Sequence, residues 1–304
     1  MTGETLLRKK STLPSILAGL SLLLACALPV TAAGPSQPKH PEPSDPHLVR
    51  ACVIGGMTMT GLWDEIVKRF EAKHPYKVKM VATGPRPKIS VPFRRGEADF
   101  LVMHSGDITT DLVADGYGIN MRPCARNDLV LLGPASDPAG VRGLKDGAEA
   151  LKRIAQTKST FLDVNNNGSR EVGHTLWQRA GIRPRGEWYI QDEAPYADEI
   201  PVFADGKEAY FIFGRMPITL AKHPTGKVVI LVEDDPTMRR PYILMEANPT
   251  RHPRVNHAGA KALADFILSA EIQNFMAGYG KDKNGGCPFF YPVWPYGPVM
   301  HPVE

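Results

Sequence analysis

The chain has 304 residues, 43% hydrophobic, 22% charged and 8% aromatic, which is globular and excludes wholesale disorder or a fibrous repeat. A formal net charge of +4 without any Lys/Arg block argues against a nucleic-acid partner. Gly and Pro, 28 of each, indicate many turns joining short elements.

The N-terminus has the layout of a secretory signal. Arg8, Lys9 and Lys10 form a positive segment, Ile16 to Ala25 an apolar one, and Pro29 to Ala33 offers small residues to a peptidase. Cleavage after Ala33 makes residues 1–33 a signal peptide. The other reading is a lipoprotein anchor, because Leu23-Leu24-Ala25 ends at Cys26. Either way the expected location is periplasmic or extracytoplasmic. Residues 34–47 are Pro-rich and polar and read as an extended linker. Cys52, Cys124 and Cys287 remain beyond it without C-x-x-C spacing, so a zinc or redox motif is not expected. One disulfide among them and three buried thiols are both open readings.

Strand, helix and strand signals then alternate. Residues 48–54 read as a strand, broken by Gly55-Gly56. Leu62, Trp63, Ile66, Val67 and Phe70 have helical spacing over 61–73, with Thr58 and Thr60 just before. Strands follow at 78–82 and 100–103, with a Gly-Pro-Arg-Pro turn at 84–87 between them. This order argues for a largely parallel sheet covered by helices. The pattern restarts with a strand at 129–132, a helix at 148–155, a strand at 160–164 and a helix holding Val172, Leu176 and Trp177. Further strands read at 209–213, 228–232 and 242–246, and closing helices at 258–268 and 271–279. The tail 285–304 is Pro-rich and irregular.

The plan is α/β and two-lobed, with a cleft at strand C-termini. Lobe I is expected from 48–132 and 239–304, and lobe II from 133–238. Two strand-to-helix loops carry the candidate site: Gly55, Gly56 and Thr58 in the first, and Asn166, Asn167, Gly168 and Ser169 in the second. Backbone amides at helix starts bind anions, and glycine lets a ligand approach closely. Ordinary capping explains either loop alone. Arg86 and Arg215 are the arginines best placed to add paired donors.

Catalytic signatures are missing. Ser169 and His174 lack a Gly-x-Ser-x-Gly elbow, and Pro253 separates His252 from His257, against a helical metal pair. Asp163, Asp234 and Asp235 form no recognisable carboxylate pair, and there is no Walker A loop or Gly-x-Gly-x-x-Gly. No enzyme, metal or cofactor is expected.

A family resemblance covers about residues 52–290. Gly61-Leu62-Trp63-Asp64 to Phe70-Glu71, Arg95-Gly96-Glu97-Ala98-Asp99, Asn127-Asp128-Leu129-Val130 and Asp137-Pro138-Ala139-Gly140 carry its first part. Leu176-Trp177, Trp188-Tyr189, Pro241-Tyr242, Asn248-Pro249 and His252-Pro253 carry the rest. In these the chain resembles the periplasmic tungstate-binding proteins of ABC transporters. The resemblance implies a two-lobed, type II periplasmic solute-binding fold that closes on a small oxyanion such as tungstate or molybdate and hands it to a membrane permease, as a monomer. The ligand motifs depart from the family. Its Thr-Thr-Thr-Ser run is Val53-Ile54-Gly55-Gly56 here, its Gly-Thr-Gly is Gly84-Pro85-Arg86, and its Arg-Gly-Asp-Asp-Ser-Gly-Thr is Asp163 to Ser169. Each hydrogen bond lost to a charged ligand is worth about 1.5–3 kcal/mol, so another polar or anionic solute, or a sensor or scaffold role without transport, stands as the alternative.

Overall fold

The computed structural model describes residues 45–165, 167–191, 199–222 and 224–297, with the Asn167 side chain outside that description. The signal segment and most of the linker therefore lie outside the described residues. The linker's end is not loose: His47 accepts at its carbonyl from the Lys77 amide at 2.7 Å, and Asn256 donates to the Pro46 carbonyl at 2.8 Å.

The first stretch runs β1 (Leu48–Ile54), α1 (Gly55–Met59), α2 (Leu62–Glu71), β2 (Lys77–Gly84), α3 (Arg86–Arg94), β3 (Phe100–His104) and α4 (Asp107–Ala114). β1 lies inside the sheet between β2 and β3 and is largely buried, in keeping with an apolar run broken only by Arg50. α2 turns Leu62, Trp63, Ile66 and Phe70 inward, places Asp64 and Glu65 in its first turn and Lys68 and Arg69 in its last, and so agrees with the helix dipole. Gly61 before it has φ 76°, a left-handed conformation that favours glycine. The expected turn at 84–87 ends as a helix start, since the fixed φ of Pro87 suits the first turn of α3.

The chain continues with β4 (Gly118–Gly133), α5 (Gly147–Thr157), β5 (Phe161–Asp163), α6 (Asn167–Arg179), β6 (Tyr189–Gln191), α7 (Ile200–Gly206) and β7 (Tyr210–Gly214). It ends with α8 (Arg215–Thr219), β8 (Val229–Val232), β9 (Arg239–Ala247), α9 (His257–Ile267) and α10 (Ala270–Gly278). Strand order is β2-β1-β3-β9-β4-β7-β5-β6, with β8 also on β4.

The sheet is mixed rather than largely parallel. β1 pairs in parallel with β2 and β3, and β5 with β6 and β7. Every antiparallel pairing involves β4 or β9. These two strands carry the chain out of the first set of strands and back. β4 is 16 residues long, pairs with β9 along its first part and with β7 and β8 along its last, and shifts register near Pro123, where a ladder donor is missing.

Each set of strands has its own core. Phe70, Phe93, Phe100, Leu263 and Met276 pack the first. The second is covered on both faces, by Leu151, Trp177 and Tyr210 on one and by Leu132, Phe211 and Ile200 on the other. The tail is irregular but anchored: Phe289 and Phe290 are buried, Tyr291 exchanges two backbone hydrogen bonds with Arg126, and the Val293 amide donates to Gln273 Oε1 at 3.0 Å. Among the described residues no helix is long and apolar enough to cross a membrane.

Candidate functional site

A cavity of about 180 Å³ lies where the two sets of strands meet. α1 contributes Gly56 and Met59, and the first turn of α6 contributes Gly168 and Ser169. The end of β3 gives His104, β4 gives Asn127 and Leu129, and β9 gives Arg240 and Tyr242. Phe213, Gly214, Met216 and Pro217 close it at the junction of β7 and α8. The wall is thus part polar and part apolar.

β9 supplies the two groups with most chemistry. Residues two apart on a strand share a face, so Arg240 and Tyr242 reach the cavity together. Tyr242 is fully buried, and its hydroxyl has no hydrogen-bond partner among the described residues. Its ring lies 4.2 Å from that of His104 and edge-on to Phe290 at 5.3 Å. Burial raises the phenol further, so it stays a protonated donor. Arg240 is 7% exposed. Its Nη2 donates to Glu171 Oε2 at 2.7 Å and to the Ser105 carbonyl at 3.1 Å, while its Nε has no hydrogen-bond partner among the described residues. Burial lowers its proton affinity, opposed by the Glu171 carboxylate, and a guanidinium remains charged under any such shift. His104 is pushed well below its usual range, first by burial and then by the charges of Arg240 and Arg86, so it is a neutral imidazole.

Glycines make room for these side chains. A Cβ on Gly56 would stand 2.7 Å from the Tyr242 hydroxyl, and one on Gly168 would stand 2.6 Å from Arg240 Nη1. The glycines expected to admit a ligand admit these two residues.

Of the residues expected from sequence, Gly56, Gly168 and Ser169 come together at the cavity. Gly55 instead faces the backbone of Gly84, where a Cβ would lie 3.7 Å from its Cα. Thr58 braces α1, its hydroxyl 3.0 Å from the Gly55 carbonyl and 3.0 Å from Thr83 Oγ1. Asn166 lies outside the described residues, as does the Asn167 side chain, although the backbone of Asn167 begins α6. Arg86 and Arg215 are not the cavity's cations. Arg86 is buried against the Ser105 carbonyl (3.2 Å), Glu171 (3.3 Å) and Asp107 (3.5 Å). Arg215 is buried against Glu233 (2.7 Å), Asp128 (3.4 Å) and Asp234 (3.9 Å). Carboxylates hold both, as Glu171 also holds Arg240, but of the three only Arg240 lines the cavity. Sequence reasoning missed Arg240, Tyr242, His104 and Asn127. An available signal was a charged residue and a tyrosine two positions apart at the start of an apolar strand.

The remaining candidates resolve as structure. His174 and Ser169 form no catalytic pair, because His174 Nε2 faces Asp163 Oδ2 at 3.2 Å, beside the Tyr189 hydroxyl at 3.0 Å. Asp128, Asp234 and Cys287 bring one atom each within 4.8 Å of one another. Arg215 and Arg239 already neutralise Asp128, and Lys145 reaches Asp234 at 2.9 Å, so ion pairing accounts for the group. Cys52, Cys124 and Cys287 are all free thiols, which corrects the disulfide reading.

Two strand sets joined by two crossing strands, with a part-polar cavity at the junction, define a periplasmic-binding-protein-like fold. The sequence matches the family model of bacterial extracellular solute-binding proteins over residues 52–281, and the chain belongs to that family, one of binding proteins and not of enzymes. A Haloferax volcanii protein provisionally named as an ABC transporter anion-binding protein is 33% identical over 237 residues, 76% of this chain and 68% of that one. The tungstate-binding protein TupA of Peptoclostridium acidaminophilum is 29% identical over 283 residues, 91% of this chain and 98% of that one. Among solved structures, the tungstate-binding protein of Desulfovibrio alaskensis superposes with TM-score 0.67 at 25% identity, covering 81% of this chain and 98% of that one. The resemblance to tungstate-binding proteins read from the sequence is therefore borne out.

Proposed function

We propose that this protein is an extracytoplasmic receptor that takes a small oxyanion into the cavity between two lobes and presents it to an ABC permease. The observation that carries this reading is the pair Arg240 and Tyr242, buried on one face of β9, each with a polar atom that no described residue satisfies. Buried donors left open are costly, by about 1–3 kcal/mol each, and a ligand oxygen removes that cost. The first turn of α6 lines the same cavity at Gly168 and Ser169. Relatives named for tungstate and for an anion support the ligand class.

In this reading lobe I is 48–132 with 239–304, lobe II is 133–238, and β4 and β9 form the hinge across which closure occurs. The expected signal peptide 1–33, or lipidation at Cys26, delivers it outside the cytoplasm, where it works as a monomer. Titration calorimetry with tungstate, molybdate, sulfate, phosphate and small carboxylates tests the reading. At least one oxyanion is expected to bind, and Arg240→Gln to weaken it roughly ten- to a hundredfold through the loss of a charge-assisted hydrogen bond. No response to any anion refutes it.

A further inference from the structure

We propose that Glu171 is an interlobe latch: its carboxylate, carried by lobe II, closes onto two buried arginines of lobe I, favours the shut cleft and fixes Arg240 beside the solute. The proposal rests on the two-lobed receptor reading and adds the residue that biases its closing equilibrium.

The first ground is where the partners come from. Glu171 follows Gly168 and Ser169 on α6, and residues three apart on a helix share a face, so it stands beside the cavity those two line. Its Oε1 lies 3.3 Å from Arg86 Nη2 and its Oε2 lies 2.7 Å from Arg240 Nη2. α3 carries Arg86 and β9 carries Arg240, both assigned to lobe I. One carboxylate thus ties α6 to two elements of the other lobe, by direct contacts that need no ligand atom. Lobe I is shaped to receive it. The Ser105 carbonyl accepts from Arg86 Nη1 at 3.2 Å and from Arg240 Nη2 at 3.1 Å, which brings the two guanidinium groups together. Two like charges side by side repel, and a carboxylate between them offsets that repulsion. Gly106 leaves the room, since a Cβ there would collide with Arg86 Nη1.

The second ground is that the tie breaks at low cost. The Glu171 side chain is 47% exposed, whereas those of Arg86 and Arg240 are 5% and 8% exposed. An ion pair is hard to open when opening strands a buried charge. Here the departing group already faces water. Each arginine keeps the Ser105 carbonyl, and Arg86 also keeps Asp107 at 3.5 Å. The pair of Arg50 and Asp99 inside lobe I is built the other way, with its carboxylate fully buried. A half-exposed tie adds little stability, yet it shifts a balanced two-state equilibrium several-fold. Arg240 lines the cavity, so closing the latch also orients the donor that meets the solute. Glu171 is thus a positioning residue that acts through Arg240.

Spin labels at Val91→Cys on α3 and Val202→Cys on α7, both exposed positions, report the interlobe distance of the full chain, matured as it is exported, in a Cys287→Ser background. Without solute, this parent is expected to populate a shorter and a longer distance. Glu171→Ala is expected to lower the shorter population at least about threefold, and alanine suits a helix. Raising the salt concentration screens a half-exposed pair, so it should lengthen the distance in the parent and leave Glu171→Ala unchanged. Tungstate release, followed by stopped flow, is expected to be at least about threefold faster in Glu171→Ala. A negative charge acting only by repulsion predicts the opposite, because its removal slows the release of an anion. A distance distribution that Glu171→Ala leaves unchanged overturns the latch, and so does a parent insensitive to salt, which decides the matter even where the variant does not fold. Slower release from Glu171→Ala overturns the positioning role. If no anion binds while Glu171→Ala still lengthens the distance, the latch stands and the oxyanion reading fails.

Discussion

Replacing Tyr242 by Phe should make the ligand-free protein more stable and its ligand binding weaker. The ring is fully buried between His104 and Phe290, and Phe keeps those contacts. The hydroxyl has no partner among the described residues, so it bears a desolvation penalty of about 1–3 kcal/mol that the variant removes. A gain of about 2 kcal/mol corresponds to a rise in Tm of roughly 4–8 °C for a domain of this size. The same variant loses a donor to a charged ligand and should bind about tenfold more weakly. Gly56→Ala provides the cross-check. Its Cβ would stand 2.7 Å from the hydroxyl but 3.9 Å from the ring carbon Cζ. Alone it overpacks the site by about 1–3 kcal/mol, against a helix gain of about 0.5–1 kcal/mol. In the Tyr242→Phe background the clash disappears and only the gain remains. Differential scanning calorimetry of the four proteins, with and without ligand, measures this cycle. A less stable Tyr242→Phe, or Gly56→Ala costs that are equal in both backgrounds, would refute the argument that this hydroxyl is buried unpaired beside Gly56.

Asp99 is 1% exposed and accepts from the Arg50 amide at 2.6 Å, from Arg50 Nη2 at 2.6 Å and from the Asn256 amide at 2.9 Å. Asp99→Asn should therefore cost about 2–4 kcal/mol in urea unfolding, somewhat under a fully buried pair because Arg50 is partly exposed, and a loss below about 1 kcal/mol would contradict it. His104 is held well below its ordinary 6.5, so the folded state binds fewer protons than the unfolded one as pH falls. Its contribution is complete above pH 6.5 and is lost progressively below it, and His104→Gln should flatten the fall in stability between neutral and mildly acidic pH. Burial pushes the Cys52 thiol up to about 12 and the fully buried Cys124 thiol higher still. A thiol reagent should thus label Cys287 alone among these three in native buffer and all three in urea; rapid native labelling of Cys52 would contradict its burial.

Much of the fold was legible because its elements obey simple periods. β1 matches its apolar run from Leu48 to Ile54, and α2 matches the helical spacing of Leu62, Ile66 and Phe70. β4 was legible only from Leu129 onward. Its earlier part, with Arg122, Pro123, Arg126, Asn127 and Asp128, alternates poorly because bulges interrupt the pairing with β9. α1 and α8 have five residues each, too few to show a period. The site was half legible. Local rules pick out Gly56, Gly168 and Ser169, because small residues beside helix starts have a local signature. They cannot decide which carboxylates an arginine meets or whether it still lines the cavity. That depends on Glu171, Glu233 and Asp128, which lie far in sequence from Arg86 and Arg215 or gain their partners only through the sheet.

The departures from the family's ligand motifs have one physical consequence. The resemblance leads one to expect hydroxyl side chains in the loop before the first helix, each donating to the ligand. Here that loop carries glycine, and the space a side chain would fill is taken by the Tyr242 hydroxyl from β9. Gly168 stands where the family also has glycine, and the space beside it is taken by Arg240. A donor expected from the first loop thus comes from β9, a strand that crosses between both strand sets and is paired on each side by β3 and β4. A strand held on both edges fixes its side chains more firmly than a loop does, so the two donors arrive with little ordering entropy left to lose. Their number is smaller than a run of hydroxyls supplies, and Glu171 already takes part of Arg240's charge. On the proposed reading, fewer and better-fixed donors concentrate anion binding on Arg240 and Tyr242, so the affinities of Arg240→Gln and Tyr242→Phe relative to the unaltered protein are the quantities to measure.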